Sequence, residues 1–455
     1  MSGLFPCPGQ IGGRTAVLAV MIVVLAALAP VPASALQTAP PLGALGGTGG
    51  CVRDALAPDL GECARTAAGL QGAGSIALVD GGRHVAVAAP GSDAVSFLRR
   101  TPGAGTLARG FCITPPGEAA CPVHAGGLHG ADALAATAGM LDVGSIDDRA
   151  VVVLRGGSVA GCVSAGPVAG CALRDAALGH VAALAVSPDG HTAYAASYGS
   201  DPGADTIVAL AQRAPTTARA GRPVVVLQPV GGSGGCAQSL GGSRAHCPRT
   251  TGLQGVVGVA VSGDGRSLYA ASAVSSAIVG FARNPGTGAI TPAGCIGDAT
   301  RVGSGDTPCP LRIAGMRGAD AVALSPDGRF VYVASQDPGA VVAFARDTTT
   351  GALRPLGGVG GCLSAYALPG CATVPSLRGA RALAFAPGGG ELDVAAPGAD
   401  AVVPLRRDAT GGLTAPSSLS PAAAPILNGV GALAPFGRQL YGASAVDDGV
   451  VVLER

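Results

Sequence analysis

The chain has 455 residues, 48% of them apolar, yet only 3% are aromatic and none is Trp, so a large core is available and Ala, Val and Leu must fill it. Its 75 Gly and 35 Pro would read as disorder if they fell without a period, which they do not. The net charge is +1, every positive charge is an Arg, and there is no basic stripe, aromatic platform or charge block, so neither a nucleic-acid partner nor a solvating tail is expected.

Residues 1–35 read as an export signal. Arg14 supplies a positive start, Ala16 to Ala29 is an apolar stretch too short for a comfortable membrane span, and Pro30 and Pro32 break it. Ala33-Ser34-Ala35 then forms a small-residue cleavage site. The mature chain would run from Leu36 as one domain over residues 36–455, secreted or held at the cell surface; an uncleaved anchor is the alternative. Cys7 would be lost with the signal. No later segment is apolar and long enough to span a bilayer.

The other cysteines fall in close pairs: Cys51 with Cys63, Cys112 with Cys121, Cys162 with Cys171, Cys236 with Cys247, Cys295 with Cys309, and Cys362 with Cys371. In an oxidising compartment they read as disulfides, and local pairing is the simplest choice. Metal ligation is the weaker alternative, because no CxxC spacing occurs and His does not accompany the pairs; no metal is expected.

A phrase follows each pair and recurs every ~50–75 residues, a propeller period. It reads Leu70-Gln71-Gly72, Leu128-His129-Gly130, a divergent Leu178-Gly179-His180, Leu253-Gln254-Gly255, Met316-Arg317-Gly318, Leu377-Arg378-Gly379 and Leu427-Asn428-Gly429. Copy five shows the unit best. Ala321 to Leu324 is a short apolar strand, Ser325-Pro326-Asp327-Gly328-Arg329 a tight turn, and Phe330 to Ser335 a second strand. Ala340 to Arg346 and Ala352 to Leu356 supply two more. Four strands with tight turns make one blade. Copy two, around Ala133 to Arg155, has lost the Pro-Asp-Gly turn and is the most degraded. The last copy stops after three strands, while Leu45 to Cys51 matches Leu356 to Cys362, so Pro41 to Leu45 should supply the missing fourth. The expected fold is all-β: a seven-bladed propeller of four-stranded blades, closed by its N-terminal strand, which removes free sheet edges. An open array is the alternative.

Residues 321–335, Ala-Val-Ala-Leu-Ser-Pro-Asp-Gly-Arg-Phe-Val-Tyr-Val-Ala-Ser, resemble the YVTN-type repeat of seven-bladed propellers grouped with the lactonase-type superfamily. The resemblance covers nearly all of the mature chain but is one of scaffold. It implies either hydrolysis of sugar lactones or binding roles at the cell surface. No lactonase catalytic position maps onto this chain, and function read from fold alone is analogy.

Chemistry is sparse. Glu occurs only at Glu62, Glu118, Glu391 and Glu454, so no carboxylate pair of glycosidase type stands out. There is no HExxH, P-loop or nucleophile elbow, and no cofactor is expected. The candidate site is a ring at one mouth of the channel. Its members are the polar phrase residues His129, Arg317 and Arg378, with His180 nearby, and Asp132, Asp320 and Arg381, three residues after His129, Arg317 and Arg378 in turn. Arg there would bind carboxylate bidentately and His would serve as a general base. The plainer reading is a solvated channel mouth. The favoured function is a binding or scaffold propeller, expected to be a monomer, whose partner is a small molecule or a cell-envelope protein; the alternative is a lactonase-like hydrolase.

Overall fold

In a computed structural model, which describes residues 42–45, 50–57, 63, 65–118, 121–137, 139–199, 205–213, 226–300, 307–416 and 428–455, the chain forms seven β-sheets arranged as the blades of a propeller. The predicted export segment and Pro41 lie outside the described residues. The innermost strands, in chain order, are Ser75–Val79, Ala131–Thr137, His180–Val186, Val256–Val261, Ala319–Leu324, Ala382–Phe385 and Val430–Phe436. Each lies beside the next and the last beside the first, so the ring is closed. Blades are numbered here from the innermost strand Ser75–Val79.

Closure follows the expected route. In blade 7 the strand Gly449–Glu454 pairs antiparallel with both Gly43–Ala44 and Cys51–Asp54, with Gly43 opposite Glu454 and Cys51 opposite Val451. Two ends of the chain thus meet in one sheet. Copy two is a complete blade despite its lost turn: Ala131–Thr137, Met140–Ser145, Ala150–Arg155 and Ser158–Ser164 pair in sequence.

Six of the blades add a short strand to the expected four. In each, the strand beyond the second cysteine pairs parallel with the fourth, as Val163 does with Leu173 and Ile113 with Val123. A parallel neighbour normally needs a crossover of a dozen residues or more. Here the two cysteines are only 9 to 14 residues apart, and the six local disulfides span that connection. Blade 6, which has no cysteine pair, shows four described strands. Cys362→Ser with Cys371→Ser is expected to cost about 2–3 kcal/mol through the freed loop. Urea unfolding of the oxidised protein measures it; an unchanged midpoint would mean that the parallel strand needs no staple.

Cores lie in the seams between blades, where the middle strands are buried on both faces. Ala and Val dominate, as in Val85–Ala89 and Val331–Ala334, which are fully buried. Small side chains let the sheets approach closely at the axis, which explains why so few aromatic residues suffice.

The repeated phrase has a specific role in this packing. Its first residue is fully buried at Leu70, Leu128, Leu178, Leu253, Met316 and Leu377. Its glycine takes φ between 63° and 73° at Gly72, Gly130, Gly255, Gly318 and Gly379, a left-handed conformation that side chains disfavour. The N–H of that glycine donates to the preceding blade: Gly72 to Asp448 (2.7 Å), Gly130 to Asp93 (2.6 Å), Gly255 to Asp205 (3.0 Å) and Gly318 to Ser276 (3.2 Å). The phrase is therefore a latch from blades 1, 2, 4 and 5 to the blade before each.

A second latch sits at the far end of the seams. Arg346 of blade 5 crosses to blade 4, where Nε donates to Tyr269 Oη (3.0 Å) and Nη2 to Asp264 (2.8 Å) and Ser267 (3.0 Å). Arg283 reaches Tyr194 and Thr192 in the same way, and Arg100 reaches Tyr441 and Gln439. Arg407 meets Asp327, and Arg455 meets Asp393 and Glu391. Between blades 2 and 3 the pair is Gln212 with Asp142.

Candidate functional site

Five of the seven innermost strands share an irregularity that helps build the site. Where each of the five begins, the pairing with its neighbour skips one residue: Ala131 and Ala133 pair with consecutive residues of the second strand, as do Val181 and Ala183, Val256 and Gly258, Ala319 and Ala321, and Val430 and Ala432. The skipped residue is a β-bulge, which turns its side chain out of the alternating pattern. Those residues are Asp132, Ala182, Val257, Asp320 and Gly431, and Gly74 and Arg381 stand at the same place in blades 1 and 6. All seven border one chamber of about 580 Å³ in the channel.

Four of the seven are small or apolar, so the chamber is wide, and the charge is concentrated in three. Arg381 Nε lies 3.4 Å from Asp320 Oδ2 in the adjacent blade; the arginine side chain is 57% exposed and Asp320 13%. Asp132 stands on the other side of the ring, against Gly74, where any larger residue would strike its carboxylate. Burial pushes the Asp132 carboxyl above its ordinary range, with Arg381 acting in the opposite direction. Burial likewise raises Asp320 to about 6 against the pull of Arg381. The chamber therefore holds a fixed cation between two carboxyls that take up protons unusually easily.

Of the residues singled out in the sequence, Asp132, Asp320 and Arg381 border this chamber. The other four candidates sit elsewhere. His129 Nδ1 is 3.0 Å from Asp148 Oδ2, and Arg317 Nε is 2.9 Å from Asp337 Oδ2, each on the rim against a turn of its own blade. Arg378 donates to the Gly398 carbonyl, also in its own blade. His180 Nδ1 contacts the Ile146 carbonyl at 2.8 Å, and its ring stacks on Tyr198 at 5.3 Å between centroids. Tyr198, which does border the chamber, was not singled out from sequence. Its hydroxyl is held above the ordinary range by burial and by the nearby Asp132 and Asp147 carboxylates. The signal was present as an aromatic residue closing the second strand of copy three, but only the ring brings it opposite Asp132.

Among the described residues no group of three or more His, Cys, Asp or Glu could hold a metal ion. No helix among them is long and apolar enough to cross a membrane.

The strand order itself defines the class: a closed, disulfide-stapled, seven-bladed β-propeller with a charged channel chamber. No protein-family model matches the chain, and no curated protein does. Solved propellers of several kinds are similar to it. A periplasmic gluconolactonase from Pseudomonas aeruginosa is 21% identical over 77% of this chain and 88% of its own, with a TM-score of 0.49. Hydrazine synthase from Kuenenia stuttgartiensis is 15% identical over 84% of this chain and 96% of its own, with a TM-score of 0.47. The β-propeller domain of Cps50 from Myceliophthora thermophila is 11% identical over 85% of this chain and 96% of its own, with a TM-score of 0.48. These likenesses are of fold alone and add nothing to the chemistry of the site.

Proposed function

We propose that the protein is an exported propeller that binds a small hydroxylated anion, of the sugar-acid type, in its channel chamber. The observation that carries this is Arg381, a half-exposed guanidinium among small residues, facing a chamber roomy enough for a ligand. Guanidinium binds carboxylate through two parallel hydrogen bonds. The carboxyls of Asp132 and Asp320 supply hydroxyl partners, as acceptors when ionised and as donors when protonated. Six disulfides and the export-like first 35 residues support an extracytoplasmic place of work.

The pH dependence has a definite sign. Above about 6 Asp320 is ionised and opposes an anion; below it the carboxyl is neutral and Arg381 is less compensated. Affinity for gluconate is therefore expected to rise several-fold as pH falls from about 7 to 5. Thermal shift at several ligand concentrations measures this, because a ligand of the folded state raises Tm by mass action. Arg381→Gln should abolish the shift, and Asp320→Asn should flatten its pH dependence. Gluconate that stabilises Arg381→Gln as well as the wild type would refute the reading.

Hydrolysis of a sugar lactone in the same chamber is a second reading. Asp320, titrating near 6, is suited to general-base work near neutral pH. Turnover of gluconolactone lost in Asp320→Asn would favour it; gluconate binding without turnover would leave the binding protein.

A further inference from the structure

The far-end latches follow one plan, and the seam between blades 1 and 2 lacks its central piece. Leu141 pairs with Leu154 in blade 2 as Val331 pairs with Phe344 in blade 5. Two residues further on, blade 5 has Arg346 and blade 2 has Gly156. Blade 1 is altered to match. Its second strand, His84–Ala89, has Ala86 where blade 4 has Tyr269, and His84 where blade 4 has Ser267. At the matching place in other seams, Thr192, Ser267 and Gln439 each accept a hydrogen bond from the incoming arginine. His84 stands ready at that place and no arginine arrives.

A cavity of about 200 Å³ opens there, bordered by Asp80, His84, Phe97, Phe111 and Gly156, with no arginine among its lining residues. We propose that this seam binds a planar cation, the guanidinium or amidinium group of a small molecule, in place of the missing side chain.

Three features match that chemistry. Asp80 supplies a carboxylate, as Asp264 does for Arg346. His84 Nδ1 lies 2.9 Å from Asp80 Oδ2, so in the neutral ring Nδ1–H donates to the carboxylate and Nε2 is left as an acceptor. The wall is aromatic: Phe97 and Phe111 stack with centroids 4.5 Å apart. A planar cation lies well on an aromatic face, and the same pairing occurs elsewhere in this ring, with the Arg100 guanidinium 4.4 Å from the centre of Phe436. The pocket thus brings a carboxylate and two aromatic rings together with no Arg side chain in its lining, which suits a guanidinium. The cavity exceeds the volume of that head group, leaving space for an aryl stem.

The test is isothermal titration of the oxidised protein with benzamidine, with benzyl alcohol as its neutral counterpart. Saturable one-to-one binding of benzamidine is expected, with none of comparable strength for benzyl alcohol. Asp80→Asn should weaken it at least about tenfold, because a charge-assisted contact becomes a neutral one. Gly156→Arg, which supplies the cation from the chain itself, should remove benzamidine binding, and Asp320→Asn in the channel should leave it unchanged. Urea unfolding of each variant confirms an intact ring. The proposal is overturned by no saturable binding to the wild type, by equal binding to Asp80→Asn, by benzyl alcohol binding as tightly as benzamidine, or by loss in Asp320→Asn instead.

Discussion

Arg346→Ala is expected to lower the stability of the ring by about 3 kcal/mol, the scale for removing several hydrogen bonds to one buried charge. The side chain is 1% exposed and ties the second-strand Tyr269, the turn residue Asp264 and Ser267 of blade 4 to blade 5. Its loss leaves Ser267 and the Tyr269 oxygen short of a donor inside the seam, although Tyr269 still donates to the Gly351 carbonyl at 2.7 Å. Lysine should restore little, because an ammonium cannot reproduce the planar fork that serves four partners at once, the Gly328 carbonyl of its own blade included. Urea unfolding of Arg346→Ala and Arg346→Lys measures both effects. A midpoint within experimental error of the wild type would mean that apolar packing alone holds the seam.

The second large effect is on the pH dependence of stability. Asp142 is fully buried, and burial pushes its carboxyl up to about 7 despite the hydrogen bond from Gln212. In the unfolded chain the same group titrates near ~3.9. Between those two values the folded state keeps a proton that the unfolded state has lost. Stability therefore falls as pH rises from about 4 to about 7, by on the order of 3–4 kcal/mol from this group acting alone, and levels off above. Asn in its place removes the charge and keeps an acceptor for Gln212. Asp142→Asn should leave stability near pH 4 almost unchanged and raise it at pH 8. Equal destabilisation at both pH values would show that the carboxylate is accommodated as an ion. Asp393 is raised to about 7 for the same first reason, burial, but Arg455 offsets it and Glu391 adds to it, so Asp142 is the cleaner probe.

The two latches show what kinds of order the sequence displays. The phrase Leu-x-Gly was visible as a repeat because it is local, with burial and left-handed φ falling on neighbouring residues. Its partner, the aspartate or serine ahead of the third strand in the previous blade, was not visible. Asp448 and Gly72 are 376 residues apart and meet only when the ring closes. The arginine latch was hidden for the same reason: Arg100 and Tyr441 lie 341 residues apart and share a seam through closure alone. The exchanges that accompany it, Tyr with Arg, Asp with Gln, Ala with Gly, read as noise along one copy and as complementary pairs across two.

For the candidate site the division is sharper. Sequence spacing put Asp132, Asp320 and Arg381 together because they follow the phrase by the same count. It set His129, Arg317 and Arg378 around the channel mouth, and each of these bonds to a turn of its own blade. Three residues separate the members of each pair, and at Asp132 and Asp320 a β-bulge falls on the later one. In a regular strand successive side chains alternate between faces, so a skipped residue re-aims one side chain toward the axis without any mark in composition.

By itself the sequence determined the repeat, the strand and turn order within each copy, the local cysteine pairs and the route of closure. All of these depend on short-range pattern: alternating small apolar residues, turn glycines and cysteines a few residues apart. Only the tertiary structure decided which charged residues share a chamber, which seams carry a buried cation and which seam stands open. Those depend on neighbours brought together by the ring, where burial sets both the charge state of a carboxyl and the space left beside it.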